Sequence, residues 1–532
     1  MRCDGQRPTC NQCIRSNIVD CEYTDEGPTV SQLLEQKIAY LEARIRELEG
    51  DSGSITLHDP HAPGPSSSSQ PRVTRGPATI GGPQPSIPRN QRIMQAFMSY
   101  ACDFGFFLHM PRFIDKLSAS IPPTNESPLP AALVHSVFLI GLTFSSDATL
   151  KQEEPRVLAR VQQALSSELD PSSTLYMLQA EVLLTYYLLH TNRRAAAGYH
   201  SAAAVSIAVG CKLHKIRSSE WFVPGASFSN ASVPEVQLFP PMDDIEEGER
   251  IRAFWTVFTL DRCLTVVFRT PSLLARPGTA AARVDAPWPL EMSGYEQHLL
   301  MPQGSTSART VEHFVNGLST ELPNQSMLAL RAKAAIVFER SAYIADNWNP
   351  NDPRFQAEFL AADARIEQVR SVLPDLHSVD LNSDVTASNR TQYVRDLLMI
   401  HTLCHAATLQ LHTRFGPSWD VDRSKAIQAA VSSASILNGI DINHWVYVDP
   451  IIGMLWHLVG ETLVNALAGL RRNVTYAMSP SVAVSPQEIM ISTSITTILT
   501  AMNTLKRHCP LIGEETDKLQ TLMGQNLGGV PT

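Results

Sequence analysis

Glu246-Glu247-Gly248-Glu249-Arg250-Ile251-Arg252-Ala253-Phe254-Trp255, running on to Leu260-Asp261-Arg262, reads as the opening turns of a long helix. Carboxylates in a first turn suit the positive end of the helix dipole. Phe254, Trp255 and Phe258 then supply apolar area for a core, and Arg250, Arg252, Asp261 and Arg262 are expected to form a buried or half-buried ion network. From Gln91 to the end the text keeps this character, long amphipathic and apolar stretches with almost no strand alternation. The reading is all-α, with enough residues for one large or two closely packed domains.

Working outward, Leu133, Val137, Ile140 and Phe144 form one helical stripe within Leu129 to Phe144. Tyr176 to His190 and Ala195 to Leu213 read as a buried helix pair joined at Asn192-Arg193. Asp449-Pro450 supplies an N-cap and a first-turn proline for an apolar helix through Leu470. His457, Glu461 and Asn465 interrupt that helix, so no membrane partner is expected.

Upstream of this domain, residues 50–90 form a linker expected to be disordered. Pro60, Pro63 and Pro65, the serine run 66–69 and Gly81-Gly82 leave no apolar period to bury. Before the linker, residues 30–49 carry a heptad with Ser31, Ile38 and Ile45 at a and Leu34, Leu41 and Leu48 at d. Isoleucine at a with leucine at d favours a parallel two-stranded coil. Lys37 and Arg44 at g face Glu42 and Glu49 at e, as a parallel homodimer requires. The competing reading is an ordinary amphipathic surface helix. Dimerisation through Leu34, Ile38, Leu41, Ile45 and Leu48 is the expectation.

The first 24 residues hold Cys3, Cys10, Cys13 and Cys21, spaced x6, x2 and x7. Cys-x2-Cys brings two thiolates to one turn, and the flanking cysteines complete the four-ligand set of a closed zinc site. Two outcomes stay open for such a short segment, a single-zinc site or four free thiols, because bound metal must supply nearly all its folding energy. Disulfides are not expected, since Cys102, Cys211, Cys263, Cys404 and Cys509 lie scattered in apolar helical text. Residues 1–50 carry six Lys and Arg against nine Asp and Glu, and the chain has a net charge of -9. A nucleic-acid reader normally presents a basic face. Weak DNA binding or none is the expectation from charge, with Arg2 and Arg15 as the candidate phosphate contacts beside the cysteines.

These cysteines resemble the third to sixth of the fungal binuclear zinc cluster transcription factors, including Asp4-Gly5 and the Arg7-Pro8 pair of their central loop. The remaining Cys-x2-Cys and the basic helix of that family have no counterpart in the sequence, so the resemblance places Met1 inside the cluster, as an internal methionine of a longer protein. Phe104 to Pro111 and Glu246 to Arg262 resemble the family's helical regulatory domain, the fungal-specific transcription factor domain. Phe268 stands where the family has a glycine before Arg269 and Pro271, which puts that turn in question. Residues 224–241 and 293–324 read as loop insertions.

The resemblance implies residues 1–24 as half of a zinc cluster, 30–49 as a dimerisation helix and 91–532 as an all-helical regulatory domain. Zinc is the implied cofactor, with Cys3, Cys10, Cys13 and Cys21 as ligands. The implied function is a zinc-dependent, sequence-specific DNA-binding regulator of RNA polymerase II genes, in the nucleus of a fungus. As a homodimer it reads G/C-rich half-sites, and an inducer, a co-regulator or intramolecular contacts act at the helical domain. One alternative is a truncated regulator that dimerises through Leu34 to Leu48 without its own DNA binding.

The other alternative is a helical metal-dependent enzyme, suggested by Asp243-Asp244-Ile245-Glu246-Glu247. Its second metal motif is missing, since Asn351-Asp352 runs into Pro353 and Glu358 falls at the wrong offset. An acidic helix start is the better account. His401, Cys404 and His405 share one helical turn but sit on an apolar stripe, which favours core packing. The sequence therefore reads as a non-enzyme.

Overall fold

A computed structural model describes residues 89–528 except 122–127, 167–171, 219–237, 275–282, 301–304, 319–324, 350, 377–386, 414–419 and 477–484. All of them belong to the compact unit Pro85–Thr532. In chain order the helices are α1 (Arg89–Met98), α2 (Met110–Ala119), α3 (Ala131–Thr143), α4 (Ala148–Lys151), α5 (Glu154–Leu165), α6 (Thr174–His190), α7 (Arg194–Gly210) and α8 (Asp244–Phe268). Two short helices follow, α9 (Met292–Glu296) and α10 (Thr310–Val315). The remainder are α11 (Met327–Asp346), α12 (Pro353–Ser371), α13 (Ala387–Thr413), α14 (Asp420–Ser435), α15 (Ile451–Tyr476), α16 (Pro486–Leu505) and α17 (Pro510–Leu527). A 3-10 turn at Cys102–Phe104 precedes α2. Among the described residues the fold is all-α, with no β-strand and one isolated bridge between Ser218 and Ser307.

Local chemistry starts these helices where the text does. Asp243, Ser326, Asp352 and Ser485 each accept a hydrogen bond from a backbone N–H of the first turn, satisfying donors that have no partner inside the helix. The α6–α7 hairpin turns at Asn192, whose φ of 59° is left-handed, a conformation asparagine tolerates better than most residues. Arg269 takes the same conformation at φ 54° and stops α8. The turn without the family's glycine therefore forms, with arginine in the strained position.

Helix α8 lies at the centre, packing on α6, α7, α11 and α15. Around it, α11 packs on α13, α13 on α14, and α15 on α16 and α17, while α3 holds α1, α5 and α6 together. A helix apolar on all faces must be surrounded, and α6 is buried along nearly its whole length from Met177 to His190. Trp255 is fully buried, stacks on Trp288 with ring centroids 4.4 Å apart, and donates its Nε1–H to the Pro287 carbonyl at 2.6 Å. Over Ile451–Arg472, α15 is long and apolar enough to cross a bilayer, with a mean hydropathy of 1.4. Yet 78% of that stretch is buried inside the fold, as suits a core helix.

Two expectations need correction. The ion network of Arg250, Arg252, Asp261 and Arg262 does not form. Arg250 pairs with Glu246, Arg252 donates to the Leu290 carbonyl, Arg262 pairs with Glu339 at 2.8 Å, and Asp261 accepts from Ser272 at 2.7 Å. Successive helical residues point about 100° apart, so these side chains meet different neighbours. Nor is 293–324 wholly peripheral, because Tyr295 and Phe314 are buried. Gly248 makes room on α8, since a Cβ there would lie 2.5 Å from the Tyr295 ring.

Candidate effector pocket in the helical domain

Cys3, Cys10, Cys13, Cys21, Arg2 and Arg15, the heptad residues Leu34, Ile38, Leu41, Ile45 and Leu48, and most of the 50–90 linker lie outside the described residues. The acidic motif does fall within them, as an ordinary helix start. Asp243 caps α8 and pairs with Arg112 at 2.8 Å, Asp244 meets His298, Glu246 meets Arg250, and Glu247 meets Arg217. Cys404 and His405 are buried in the core, and burial pushes the His405 imidazole down to about 3. Among the described residues no group of three or more His, Cys, Asp or Glu is arranged to hold a metal.

A different site emerges where α6, α8, α11 and α13 converge on the segment ahead of α2. They enclose a cavity of about 290 Å³, at the small end of the range for small-molecule sites. Helical spacing builds the walls: Arg252, Thr256 and Thr259 share one face of α8, Leu328 and Arg331 one face of α11, Gln392 and Asp396 one face of α13. Tyr186, Tyr393 and Phe106 supply aromatic surface. Gly105 lets the chain pass close by. Its φ is +69°, and a Cβ there would sit 3.0 Å from Thr256, Tyr186 and Val182.

Charge is concentrated beneath this cavity. Arg395 donates to Asp103 through Nη2 at 2.6 Å and Nε at 3.1 Å, both residues being buried. Arg331 is bonded to Asp449 and lies 3.5 Å from the Tyr186 hydroxyl. Arg252 donates to the Leu290 carbonyl at 2.9 Å and reaches Glu291 at 3.7 Å. Asp396 is the exception, with no hydrogen-bond partner among the described residues. It lies deep in the domain but turns its surface to the cavity. Burial, reinforced by Asp103, pushes its carboxyl up to about 7 against the pull of Arg331 and Arg395. Burial likewise raises the Cys102 thiol at the rim, so it is not an activated nucleophile.

Residues 1–28 match the fungal Zn(2)-Cys(6) binuclear cluster domain, and residues 94–307 match the fungal specific transcription factor domain. The two matched domains point to a fungal zinc-cluster transcription regulator. No curated protein and no solved structure matches it. Zinc is the cofactor of the matched cluster domain. Residues 1–28 hold four of the six cysteines of such a cluster, two of them in Cys-x2-Cys, which is the ligand count of one closed zinc site. Within the helical domain the family match covers the Cys102, Tyr186, Arg252 and Glu291 walls of the pocket, whereas Arg331 and Asp396 come from helices beyond it.

Sequence reasoning passed over Asp103, Arg331, Arg395 and Asp396. One signal was present: the adjacent Arg395-Asp396 stands inside an otherwise apolar helical run, Val394 to Ile400. Charges in such a place are almost never buried without a partner or a task.

Proposed function

We propose that this zinc-cluster regulator acts in the nucleus as a homodimer on paired G/C-rich half-sites, under the control of a small molecule at its helical domain. In this reading Cys3, Cys10, Cys13 and Cys21 hold zinc, Arg2 and Arg15 contact phosphate, and Leu34, Ile38, Leu41, Ile45 and Leu48 form the dimer seam. Residues 50–90 tether them to a regulatory domain over 91–532. Support for ligand control comes from one observation, the cavity whose floor carries Asp396 without a hydrogen-bond partner. Asp396 is half-buried and turned to an aromatic-lined cavity, which leaves its carboxyl oxygens available to a ligand.

The reading is tested by selecting duplexes from a random pool with the purified full chain, with and without a zinc chelator. Enrichment of paired G/C-rich sites that the chelator abolishes is expected. A pool left unenriched by zinc-loaded protein would overturn the DNA-reading part.

A further inference from the structure

We infer that the pocket takes a small organic ammonium compound, its cationic nitrogen on the Asp396 carboxylate and its apolar part against Tyr393, Tyr186 and Phe106. This deepens the proposal that the helical domain answers to a small molecule, and rests on it.

The argument is a count of charges. Facing Asp396 are Cys102 and Asp103 from the turn ahead of α2, Tyr186 from α6, Arg331 from α11, Arg395 from its own helix and Asp449 from the start of α15. Arg395 is committed to Asp103, and Arg331 to Asp449. At the rim Arg252 is shared between the Leu290 carbonyl and Glu291. Three arginines therefore stand against four acids, and the acid left over is the one turned to the cavity. An anionic ligand would add a fifth negative group beside three arginines that each already pair with a carboxylate. Of their buried nitrogens, only Nε of Arg252 and of Arg331 lacks a hydrogen-bond partner among the described residues. A monocation balances it.

The walls agree. Aromatic faces attract ammonium groups within about 6 Å of the ring, and Tyr186, Tyr393 and Phe106 line the same cavity as Asp396. A space of about 290 Å³ holds on the order of ten heavy atoms at the roughly 30 Å³ a water occupies in the liquid. That is the size of an arylalkylamine. A proton and an ammonium group would occupy the same carboxylate, so amine binding and protonation of Asp396 compete. Burial raises this carboxyl to about 7, so affinity should fall roughly tenfold for each pH unit below neutrality, while the amine itself stays charged throughout.

The experiment is calorimetric titration of the full chain with benzylammonium, phenylacetate and benzyl alcohol at pH 8.0, 7.0 and 6.0, repeated on Asp396→Asn. Benzylammonium should bind at least tenfold more tightly than either isostere and weaken toward pH 6.0. Asp396→Asn should lose at least tenfold in affinity together with the pH dependence. The variant removes an unpaired carboxyl, so it should fold at least as stably as the parent, with circular dichroism as the check. Equal or tighter binding of phenylacetate, or an unchanged Asp396→Asn titration, would overturn the ammonium assignment and leave the effector pocket standing. No binding of any of the three probes would sink both readings.

Discussion

Asp103 and Arg395, 292 positions apart in the chain, meet through two hydrogen bonds of 2.6 and 3.1 Å in the interior of the domain. The pair ties the turn ahead of α2 to the middle of α13. Beside it, Arg331 and Asp449 tie α11 to the start of α15. Four segments distant in sequence are thus pinned around the cavity floor, and the cavity keeps its shape because each arginine is held by its own carboxylate.

Removing one partner of the first pair leaves a buried charge uncompensated. Asp103→Ala should destabilise the full chain by about 3–5 kcal/mol, whereas Asp103→Ala combined with Arg395→Met should recover much of that loss. Urea unfolding of both variants decides the point. A single substitution costing under about 1 kcal/mol would show that water replaces the lost carboxylate.

Close helix contact at Gly141 gives a steric prediction. A Cβ there would lie 2.3 Å from the Ile93 carbonyl oxygen, where α1 crosses α3. Gly141→Ala should therefore cost about 1–3 kcal/mol through overpacking, against the gain in helix propensity that alanine normally brings. A thermal unfolding midpoint at or above the parent's would contradict the contact.

His190 makes stability pH-dependent. Burial, with His508 nearby, lowers its imidazole to about 4, and its Nδ1 has no partner. A histidine with a depressed folded pKa binds its proton more readily when unfolded. Its penalty is therefore absent above about pH 6.5 and grows as pH falls toward 4, reaching on the order of 2–3 kcal/mol. Asp396, raised to about 7, acts in the opposite sense, but it is common to parent and variant. His190→Phe keeps the ring contacts with Phe144 and Tyr447, and should lose less stability between pH 7.5 and 5.0 than the parent. Equal losses in the two proteins would mean that water reaches the imidazole.

Zinc retention tests the cysteine reading. Cys13→Ser removes one thiolate from the Cys-x2-Cys pair and should lower the zinc bound per chain, measured by elemental analysis after dialysis. The main unfolding transition of the helical domain should not move. Unchanged zinc would place the metal on other ligands.

Leu41 sits at the central d position of the heptad. Leu41→Asp should convert a dimer to a monomer in sedimentation equilibrium, because a buried carboxylate on the seam faces its own copy. A parent chain already monomeric at micromolar concentration would remove the dimer from the proposal.

Much of the helical domain is legible residue by residue. The α6–α7 pair, the cap at Asp449 and the acidic start of α8 all follow from short-range rules, which need only a few neighbouring residues to operate. Arg250, Arg252, Asp261 and Arg262 mark where those rules stop. Their charges were plain, but their partners Glu339, Ser272 and the Leu290 carbonyl come from elsewhere in the chain, and no local spacing names them.

The same division holds for function. The sequence by itself determined the spacing of Cys3, Cys10, Cys13 and Cys21, the heptad pattern and the helical class, because each is a pattern of residue types at fixed short intervals. Only the tertiary structure decided that Asp396 is the acid left over, since that required knowing that Arg395 is held by Asp103 and Arg331 by Asp449. Burial turns such long-range pairing into a site, because a charge away from water must find its counter-charge within the fold or in a ligand.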